Sequence, residues 1–375
     1  MAKFLIAGAG IAGLSAAMAL LREGHNVTVL EQASVLSEVG AGVQLGPNAM
    51  RILSSWGLGK AIEDKGYEPA HLIIRDVRDD RVLTSRSLND QDAARHKYGA
   101  PHVCIRRSDL QTVLMQSVQT AGASVLLGQT VQGLQENRLI DFDALIGCDG
   151  LHSKVREDLL AGTQHGDKPR ASGHTAYRAM LDMALLPLEL RQQAVQVWLG
   201  ATQHVVAYPV NQWQLNIVIA QEGVPAPASH MSAQLHALIA AVQANGGFTT
   251  WALFHRSPMW HPKFYVKGNV ALLGDAAHPM LPYLAQGAAM AIEDAQALGH
   301  AAGSQSNVGM ALQVYAKTRW KRNARVQIQS QMQGYVFHAS GLIRLARDAV
   351  LRAAGERLTA LPWLYDYQNS TIKHS

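Results

Sequence analysis

The sequence predicts an α/β fold in which a parallel sheet with crossover helices is interrupted by an inserted antiparallel sheet and followed by C-terminal helices. The stretch Lys3–Gln32 supports the parallel sheet, because it reads as strand, glycine turn, helix and strand. Between Gly173 and Ala220, apolar and polar residues alternate without crossover helices, which is typical of antiparallel strands. At Val270–Leu273 a short apolar run of buried-strand type returns. We therefore expect one domain to be inserted into another.

The composition is that of an ordinary globular protein. Its 375 residues, 48% of them hydrophobic, are enough for two cores. The net charge of +5 includes no block of Lys and Arg, so we expect small anionic ligands and no nucleic-acid partner. Cys104 and Cys148 lack C-x-x-C spacing, which predicts reduced thiols in the cytoplasm. Glycines interrupt the apolar run Phe4–Leu21, so we expect neither a signal peptide nor a membrane span.

A glycine turn joins the first strand to the first helix. Phe4–Ala7 has the length of a buried strand, and an Ala-rich helix follows at Leu14–Leu21. Gly8, Gly10 and Gly13 between them have G-x-G-x-x-G spacing. In this spacing the first glycine permits a tight turn, the second lets backbone approach a pyrophosphate, and the third lets helix pack on strand. The helix start also stabilises a phosphate without a basic side chain.

The second strand ends at an acidic residue. Val27–Leu30 is another short apolar run, and Glu31 follows it about 20 residues after the glycines, where a carboxylate accepts the hydroxyls of an adenosine ribose. The complete unit predicts a dinucleotide-binding, Rossmann-like domain. It leaves open which dinucleotide binds.

A loop and a hairpin follow this unit. Glu38–Ile52 is glycine-rich and enters a helix at Pro47, so backbone is expected to approach a ligand there. The runs His71–Val77 and Arg81–Leu88 alternate around a polar turn and predict an exposed antiparallel hairpin. We expect this hairpin to join the inserted sheet.

From residue 101 the first domain is expected to resume. Three short strands of buried, parallel-sheet type are predicted here: Val103–Ile105, Val125–Leu127 and Ala144–Ile146. Ser108 and Asp109 are expected to cap the helix Leu110–Thr120, and a further helix is expected near Ser153.

The inserted sheet is predicted from alternating strands separated by turns. These strands are His174–Met180, Ala194–Leu199, His204–Pro209 and Gln214–Ala220. The helix Ser232–Ala244 and the strand Trp251–Phe254 complete the insert.

The last part of the chain is predicted to be mostly helical. The strand Val270–Leu273 leads to the helix Gln286–Leu298, and a basic helix follows at Ala311–Gln333. The Arg-studded helix Gly341–Leu358 has an amphipathic pattern that also suits a membrane surface, but we expect its apolar stripe to pack on the parent domain.

Three motifs in this order carry a family resemblance. They are GAGIAG with Glu31, CDGLHSKVR at Cys148–Arg156 and GDAAHPMLPYLAQGAAMAIEDA at Gly274–Ala295. Together they resemble the group A flavoprotein aromatic hydroxylases, which are single-component FAD monooxygenases of the p-hydroxybenzoate hydroxylase type. GAGVQLGPNA, TAYRAML and the terminal WLYDY make nearly the whole chain similar to the salicylate hydroxylase and 6-hydroxynicotinate 3-monooxygenase branch.

The resemblance implies bound FAD and a transient NADH or NADPH, since no second G-x-G-x-x-G builds a separate nicotinamide domain. Asp275 is expected at the ribityl chain, and the helix start at Gly287 and Ala288 is expected at the flavin ring, where reduced flavin bears charge. For Asp149, Ser153 and Arg156 the implied place is near the pyrophosphate and the transient approach of the nicotinamide, and the alternative is a helix cap with its ion pairs. The residues expected to bind the cofactor are Gly8, Gly10, Ala12, Gly13, Glu31, Gln32, Gln44, Arg107, Val131, Asp149, Gly274, Asp275, Pro282, Gly287 and Ala288.

The implied reaction is hydroxylation of a small aromatic or heteroaromatic acid with O2 through a flavin C4a-hydroperoxide, with or without decarboxylation. Oxygen transfer to a phenolate is faster, so the pocket should hold a base. His204 and Tyr208 lie four residues apart on one strand, hence on one face, and resemble pocket residues of the 6-hydroxynicotinate branch. Tyr283, after Pro282, is the third catalytic candidate. Without the resemblance, a strand histidine is more often structural.

Several polar residues leave alternatives open. Some relatives carry a His at the position of Gln44, and a neutral amide cannot replace it as a base. Arg75 and Arg178 are candidates to bind a substrate carboxylate, and the alternative is a surface or interface role. His255 and His261 have no acidic or thiol partners at metal-ligand spacing, so we expect no metal.

The domain partition is expected to follow these patterns. The FAD-binding domain should comprise residues 1–66, 101–166 and 262–300, the substrate domain 67–100 and 167–261, and the C-terminal helices 301–375. The active site should lie between the two domains. We expect a monomer or homodimer. The alternative functions are an FAD monooxygenase for a larger phenol, quinone precursor or natural product, and a non-catalytic flavin redox sensor.

Overall fold

A computed structural model of the chain describes residues 1–36, 41–134, 140–163, 168–223 and 231–367. Residues 38–40 of the predicted glycine-rich loop and the predicted domain boundary at residue 166 lie outside these ranges. Within the described ranges, no helix is long and apolar enough to cross a membrane.

Each predicted strand and helix occurs, with its ends shifted by a few residues. The strands are β1 (Lys3–Ala7), β2 (Asn26–Glu31), β3 (Gly42–Leu45), β4 (His71–Asp76), β5 (Val82–Ser87), β6 (Val103–Arg106), β7 (Ser124–Leu127), β8 (Ala144–Gly147), β9 (Arg170–Asp182), β10 (Ala194–Leu199), β11 (Gln203–Pro209), β12 (Gln214–Glu222), β13 (Thr249–His255), β14 (Val266–Lys267) and β15 (Val270–Leu272). The helices are α1 (Ile11–Arg22), α2 (Pro47–Ser55), α3 (Gly59–Lys65), α4 (Ala93–Tyr98), α5 (Arg107–Thr120), α6 (Lys154–Leu159), α7 (Ala233–Ala244), α8 (Gly287–Ser304), α9 (Val308–Phe337), α10 (Gly341–Thr359) and α11 (Pro362–Tyr365).

The first sheet has the strand order β14-β15-β8-β1-β2-β7. All neighbouring pairs are parallel except the antiparallel edge pair of β14 and β15. The β1 residues Phe4, Leu5 and Ile6 are at most 1% exposed, because a parallel sheet is covered on both faces. Helices α1 and α8 pack so closely that a Cβ on Gly299 would lie 2.9 Å from the carbonyl oxygen of Ala19. The predicted α/β class is confirmed.

The second sheet has the strand order β13-β9-β12-β11-β10-β4-β5. It is antiparallel except between β4 and β10, which pair in parallel with His71 opposite Ala194. The expectation of a wholly antiparallel sheet is therefore wrong at this pair. The β4–β5 hairpin comes from a distant part of the chain, so no tight turn fixes its direction against β10.

Two expectations for residues 101–120 are also wrong. Strand β6 does not join the parallel sheet but pairs with β3 in a separate two-stranded antiparallel sheet. A short apolar run does not specify its partner strand, which explains the error. Helix α5 begins at Arg107 directly after extended Arg106, without a side-chain cap from Ser108 or Asp109.

Helix α7 packs on one face of the second sheet, and helix α10 packs on strand β5 of its hairpin. Helix α7 packs through Leu235 and Leu238 on a cluster that contains Ile217 and Ile219. Helix α10 packs on β5 so closely that a Cβ on Gly355 would lie 2.5 Å from Thr84. The helix therefore packs on the protein through Leu351 and Gly355. The expectation that its apolar stripe packs is only partly met, because five of its apolar side chains are more than half exposed: Leu342, Ile343, Leu345, Val350 and Leu358.

Candidate active site

The glycine turn between β1 and α1 uses each glycine for a different reason. Gly8 has φ +100, and a Cβ there would lie 2.6 Å from the carbonyl oxygen of Cys148. A Cβ on Gly13 would lie 1.8 Å from the carbonyl oxygen of Gly8, so a larger residue would push α1 off the strand. A Cβ on Gly10 would meet no described atom within 4 Å. Gly10 therefore borders open space at a helix start, as in a pyrophosphate site.

The turn after β15 meets this glycine turn. Gly274 has φ +62, and a Cβ there would lie 2.7 Å from the Cβ of Ala12. The side chain of Asp275 is exposed to solvent, yet the protein around it raises its pKa, and His278 and Arg107 act in the opposite direction. Asp275 is thus a carboxylate beside the glycine turn that solvent reaches. This placement suits a group that accepts ribityl hydroxyls.

Glu31 and Gln111 hold the glycine turn in place. The Glu31 carboxylate accepts hydrogen bonds from the backbone NH of Ala9 at 2.8 Å and of Ala33 at 2.9 Å. The Gln111 side chain donates to the carbonyl of Ala9 at 2.8 Å. A carboxylate has about four acceptor positions, so Glu31 keeps capacity for ribose hydroxyls. Gln111 was not identified from the sequence, because a helix glutamine has no motif around it.

The segment that begins with the CDG motif caps helix α6 and contains a buried arginine. Asp149 accepts hydrogen bonds from Ser153 Oγ at 2.5 Å and from the backbone NH of Lys154 at 2.7 Å, which caps α6. Arg156 is 1% exposed, and its Nη1 donates to the carbonyls of Ala276 at 2.9 Å and Ala277 at 2.7 Å. These contacts favour the cap alternative for Asp149 and Ser153. They make Arg156 a support of the turn around Asp275.

A buried ionic network ties α8 to α9. Asp294 lies 2.5 Å from His278 Nε2 and accepts a hydrogen bond from Arg319 Nε at 2.7 Å. Arg322 Nε donates to Glu293 at 2.6 Å, and Asn48 Nδ2 donates to the same carboxylate at 2.8 Å. Burial would raise the pKa of Asp294, but the nearby His278 and Arg319 outweigh it and lower the pKa. The network fixes the start of α8, where Gly287 borders open space.

Helix α9 also holds the segment between Asp275 and α8. Gln327 Nε2 donates to the carbonyl of Pro279 at 2.9 Å, and Ser330 Oγ donates to the carbonyl of Leu281 at 2.5 Å. One turn later, a Cβ on Gly334 would lie 2.6 Å from the ring of Tyr283. The absence of a side chain at 334 therefore makes room for the Tyr283 ring.

His204, Tyr208 and Arg178 lie on one face of the second sheet. In the register of β11, β12 and β9, Val206 pairs with Val218, which pairs with Arg178, and His204 and Tyr208 are two residues to either side of Val206. The expected common face of His204 and Tyr208 is confirmed. Arg75 pairs with Trp198 and donates to Gln196 at 3.2 Å on the opposite face. It therefore cannot bind the carboxylate of a substrate that contacts His204.

His204 and Tyr283 meet, whereas Tyr208 lies in a neighbouring cluster. The ring centroids of His204 and Tyr283 are 5.3 Å apart, and the Tyr283 hydroxyl is buried without a hydrogen-bond partner among the described residues. Tyr208 is buried in a cluster with Cys104 and Phe337, and the Phe337 ring is 5.1 Å from His204. Burial raises the pKa of Tyr208 and Tyr283.

Two histidines that the sequence did not single out complete this cluster. His338 Nε2 lies 2.8 Å from His204 Nδ1, and His338 Nδ1 lies 3.1 Å from His174 Nε2. His338 follows the end of α9 and His174 lies on β9, so no local motif joins them.

The remaining residues predicted to bind the cofactor lie in different elements of the fold. Gln44 lies on β3 opposite Cys104, and Gln32 follows β2. Val131 is 3% exposed in the core of the first domain. Pro282 opens the short 3₁₀ turn that carries Tyr283, and Ala288 is in the first turn of α8.

A separate cavity lies away from these residues. It has a volume of about 770 Å³ and lies between β5, α4 and α10, lined by residues that include Arg86, His102 and Tyr365. None of the predicted cofactor or catalytic residues lines it.

Comparison with known proteins shows which family shares this architecture. A family described as "FAD binding domain" matches residues 1–326. The chain is 33% identical to 3-hydroxybenzoate 6-hydroxylase of Polaromonas naphthalenivorans, over 97% of this chain and 95% of the relative. It is 31% identical to 6-hydroxynicotinate 3-monooxygenase of Pseudomonas fluorescens, over 87% of this chain and 89% of the relative. A salicylate hydroxylase substrate complex superposes with a TM-score of 0.75 at 25% identity, covering 98% of this chain and 96% of that chain.

These matches confirm the resemblance that the three motifs carry. Both named relatives share more than 30% identity across most of this chain, and the family match includes every strand of both sheets. The chain therefore belongs to the FAD binding domain family and is an FAD-dependent monooxygenase.

Proposed function

We propose that this enzyme hydroxylates a small aromatic acid that carries a phenolic hydroxyl, using NADH or NADPH and O2. The observation that carries the proposal is the meeting of His204 and Tyr283 on the sheet face that also bears Arg178. A proton acceptor and a cation on one face match the two polar groups of a hydroxybenzoate. The named substrates of the relatives, 3-hydroxybenzoate and 6-hydroxynicotinate, belong to the same class.

The described residues fit FAD. Open space borders Gly10 and Gly287, and Asp275, which follows Gly274 beside the glycine turn, carries a carboxylate that solvent reaches. We propose Gly10 at the pyrophosphate, Asp275 at the ribityl chain, and Gly287 with Ala288 at the flavin ring. When bound, FAD accepts hydride from the nicotinamide and activates O2 for transfer to the substrate ring.

Within the pocket, His204 is proposed to take the phenolic proton. Burial lowers its pKa well below the ordinary value, so the ring is neutral at neutral pH and keeps one unprotonated nitrogen, although it is a weak base on its own. Arg178, whose guanidinium lies 5.1 Å from the Trp251 ring, is proposed to pair with the substrate carboxylate. The Phe337 ring beside His204 keeps water from this side of the pocket.

We further propose the expected domain partition, a cytoplasmic location and a monomer or homodimer. The strands of the first sheet all come from residues 1–66, 101–166 and 262–300, and those of the second sheet from 67–100 and 167–261, which supports the partition. The free, buried Cys104 and Cys148 support a reducing compartment.

A panel of hydroxybenzoates and hydroxypyridine carboxylates tests the proposal. Purified protein with FAD should oxidise NADH or NADPH faster with one of these acids and release a hydroxylated product. Arg178→Met should raise KM for that acid more than it lowers kcat, because it removes the carboxylate partner. Turnover only with a larger phenol lacking a carboxylate would contradict the substrate class. FAD binding without turnover of any aromatic would indicate a redox sensor instead.

A further inference from the structure

His204, His338 and His174 form a continuous chain of imidazole rings. The two ring-to-ring distances are 2.8 Å, from His204 Nδ1 to His338 Nε2, and 3.1 Å, from His338 Nδ1 to His174 Nε2. Both lie within hydrogen-bond range. The rings of His174 and His338 are nearly parallel, with centroids 5.0 Å apart.

A backbone carbonyl sets the direction of this chain. His174 Nδ1 lies 3.2 Å from the carbonyl oxygen of Ser172, which can only accept, so Nδ1 carries the proton in the neutral ring. His174 Nε2 is then an acceptor, and His338 must donate to it through Nδ1. By the same logic His204 donates through Nδ1 to His338, which leaves His204 Nε2 as the basic atom.

The chain of histidine rings also runs from the core towards solvent. His204 is 3% exposed, whereas His338 and His174 are both partly exposed. His174 pairs across the sheet with Glu222, an exposed carboxylate at this outer end. The other charged or titratable groups near the chain are Tyr283 and Arg347, and Arg347 donates to the carbonyl of Phe337 at 2.8 Å.

We propose that His338 and His174 are a proton relay that connects His204 with solvent. The inference rests on the proposed function, because the relay acts on the phenolic proton of the substrate. A charge left on His204 would be buried without a carboxylate partner in the described structure, which makes His204 alone a weak base. Passing the charge outward removes this penalty.

Each step moves one proton between neighbouring atoms. The substrate O–H transfers its proton to His204 Nε2, His204 Nδ1–H transfers to His338 Nε2, and His338 Nδ1–H transfers to His174 Nε2. His174 becomes an imidazolium with protons on both nitrogens and releases one to water. The reverse sequence returns a proton to the product phenolate and restores the original tautomers.

Substitutions at His338 separate a relay from a structural role. His338→Gln keeps one donor and one acceptor but cannot pass a proton on by changing tautomer, and His338→Ala leaves room for added imidazole. With FAD-loaded enzyme and the best acid of the panel, a pH jump followed by absorbance reports phenolate formation. We expect His338→Gln to slow it about 10-fold or more, and imidazole to restore the rate of His338→Ala but not of His338→Gln.

Controls keep the outcomes distinct. Tyr335→Phe, at an exposed position on the same helix end, should behave as the native protein. His174→Gln should slow the same step, and the double variant should be no slower than the slower single variant, because the two act in series. Native rates in His338→Gln, with FAD content unchanged, would overturn the relay. A native enzyme that forms no phenolate with any phenolic acid would instead overturn the proposed function.

The tautomers give a test that needs no turnover. Nitrogen-15 NMR of histidine-labelled protein should place the proton of neutral His338 and His204 on Nδ1. A proton on Nε2 of His338 in the neutral protein would contradict the proposed direction and overturn the relay.

Discussion

At the scale of single residues, His204 bears most of the proposed chemistry. His204→Ala removes the acceptor nitrogen but leaves the glycine turn and Asp275 untouched, so FAD should remain bound. We expect hydroxylation to slow by about 10²–10⁴-fold or to uncouple towards hydrogen peroxide, as for the loss of an acid–base group. Product formed per NAD(P)H oxidised measures both effects.

Tyr208→Phe is a smaller change on the same sheet face. It removes one buried hydroxyl from the cluster with Cys104 and Phe337 while keeping the ring packing. FAD should again stay bound, and hydroxylation should slow or uncouple. Unchanged turnover and coupling in both His204→Ala and Tyr208→Phe would remove these residues from the active site without affecting the flavoprotein fold.

Two glycines of one motif should respond differently to the same substitution. A Cβ on Gly10 meets no described atom within 4 Å, so Gly10→Ala should fold normally but bind FAD more weakly, because the methyl group would occupy the place proposed for the pyrophosphate. A Cβ on Gly13 would lie 1.8 Å from the Gly8 carbonyl oxygen, so Gly13→Ala should be unstable with or without FAD. Urea unfolding of the FAD-free proteins compares their stabilities. Equal stability of the two variants would contradict this division.

The sequence predicted some of the candidate site residues and missed others for a physical reason. Gly8, Gly10 and Asp275 follow directly from short motifs, because the backbone itself positions them. His338 and His174 come from a helix end and a strand far apart in sequence, and only the tertiary fold brings them to His204.

At the scale of elements, α9 does more than the sequence indicates. It reads as a basic helix, yet its polar residues face inward at spacings of three and four positions. These are Arg319, Arg322, Asn323, Gln327 and Ser330, each at most 9% exposed. They bind the carboxylates of α8 and the carbonyls before it, so a polar stripe packs where an apolar one is usual.

Breaking the α8–α9 network should therefore be costly. Asp294→Asn removes the charge that faces His278 and Arg319, all three of them fully buried. We expect a loss of about 3–5 kcal/mol in the free energy of unfolding, the usual result when a buried charge loses its partner. Urea unfolding measures the change, with the exposed Glu157→Gln as control. A loss no larger than the control's would show that the network does not brace α8.

Local patterns predicted the elements well and their partners less well. The continuous apolar runs in β1 and β15 reflect burial on both faces, so these strands were recognised. The alternating strands β10 and β11 were recognised as well, although nearly all of their residues are buried on both faces. The parallel pairing of β4 with β10 and the pairing of β6 with β3 depend on contacts between distant segments. No local pattern contains that information.

At the scale of the whole molecule, buried His102 and partly buried His338 predict acid sensitivity. Burial lowers the pKa of His338 to about 4 and that of His102 to about 3, whereas in the unfolded chain both titrate near about 6.5. Below this value the unfolded chain binds protons that the folded protein does not. The free energy of unfolding should therefore fall as pH falls from about 6.5 towards about 4.

Urea unfolding between about pH 7 and about pH 5 measures the slope of the free energy of unfolding against pH. Most carboxylates titrate below this pH range. His338→Gln and His102→Gln should each flatten this slope, because the substituted residue no longer takes up a proton on unfolding. A slope that neither variant changes would show that these histidines are not the cause.

The contact between Gly334 and Tyr283 limits the order in which this pocket can change during evolution. Any side chain at position 334 collides with the Tyr283 ring, whereas a smaller residue at 283 leaves Gly334 undisturbed. A lineage that reshapes this wall must therefore shrink the residue at 283 first, and the same pair of mutations in the opposite order passes through a defective intermediate. The two positions are epistatic, and laboratory evolution of substrate range should start at Tyr283.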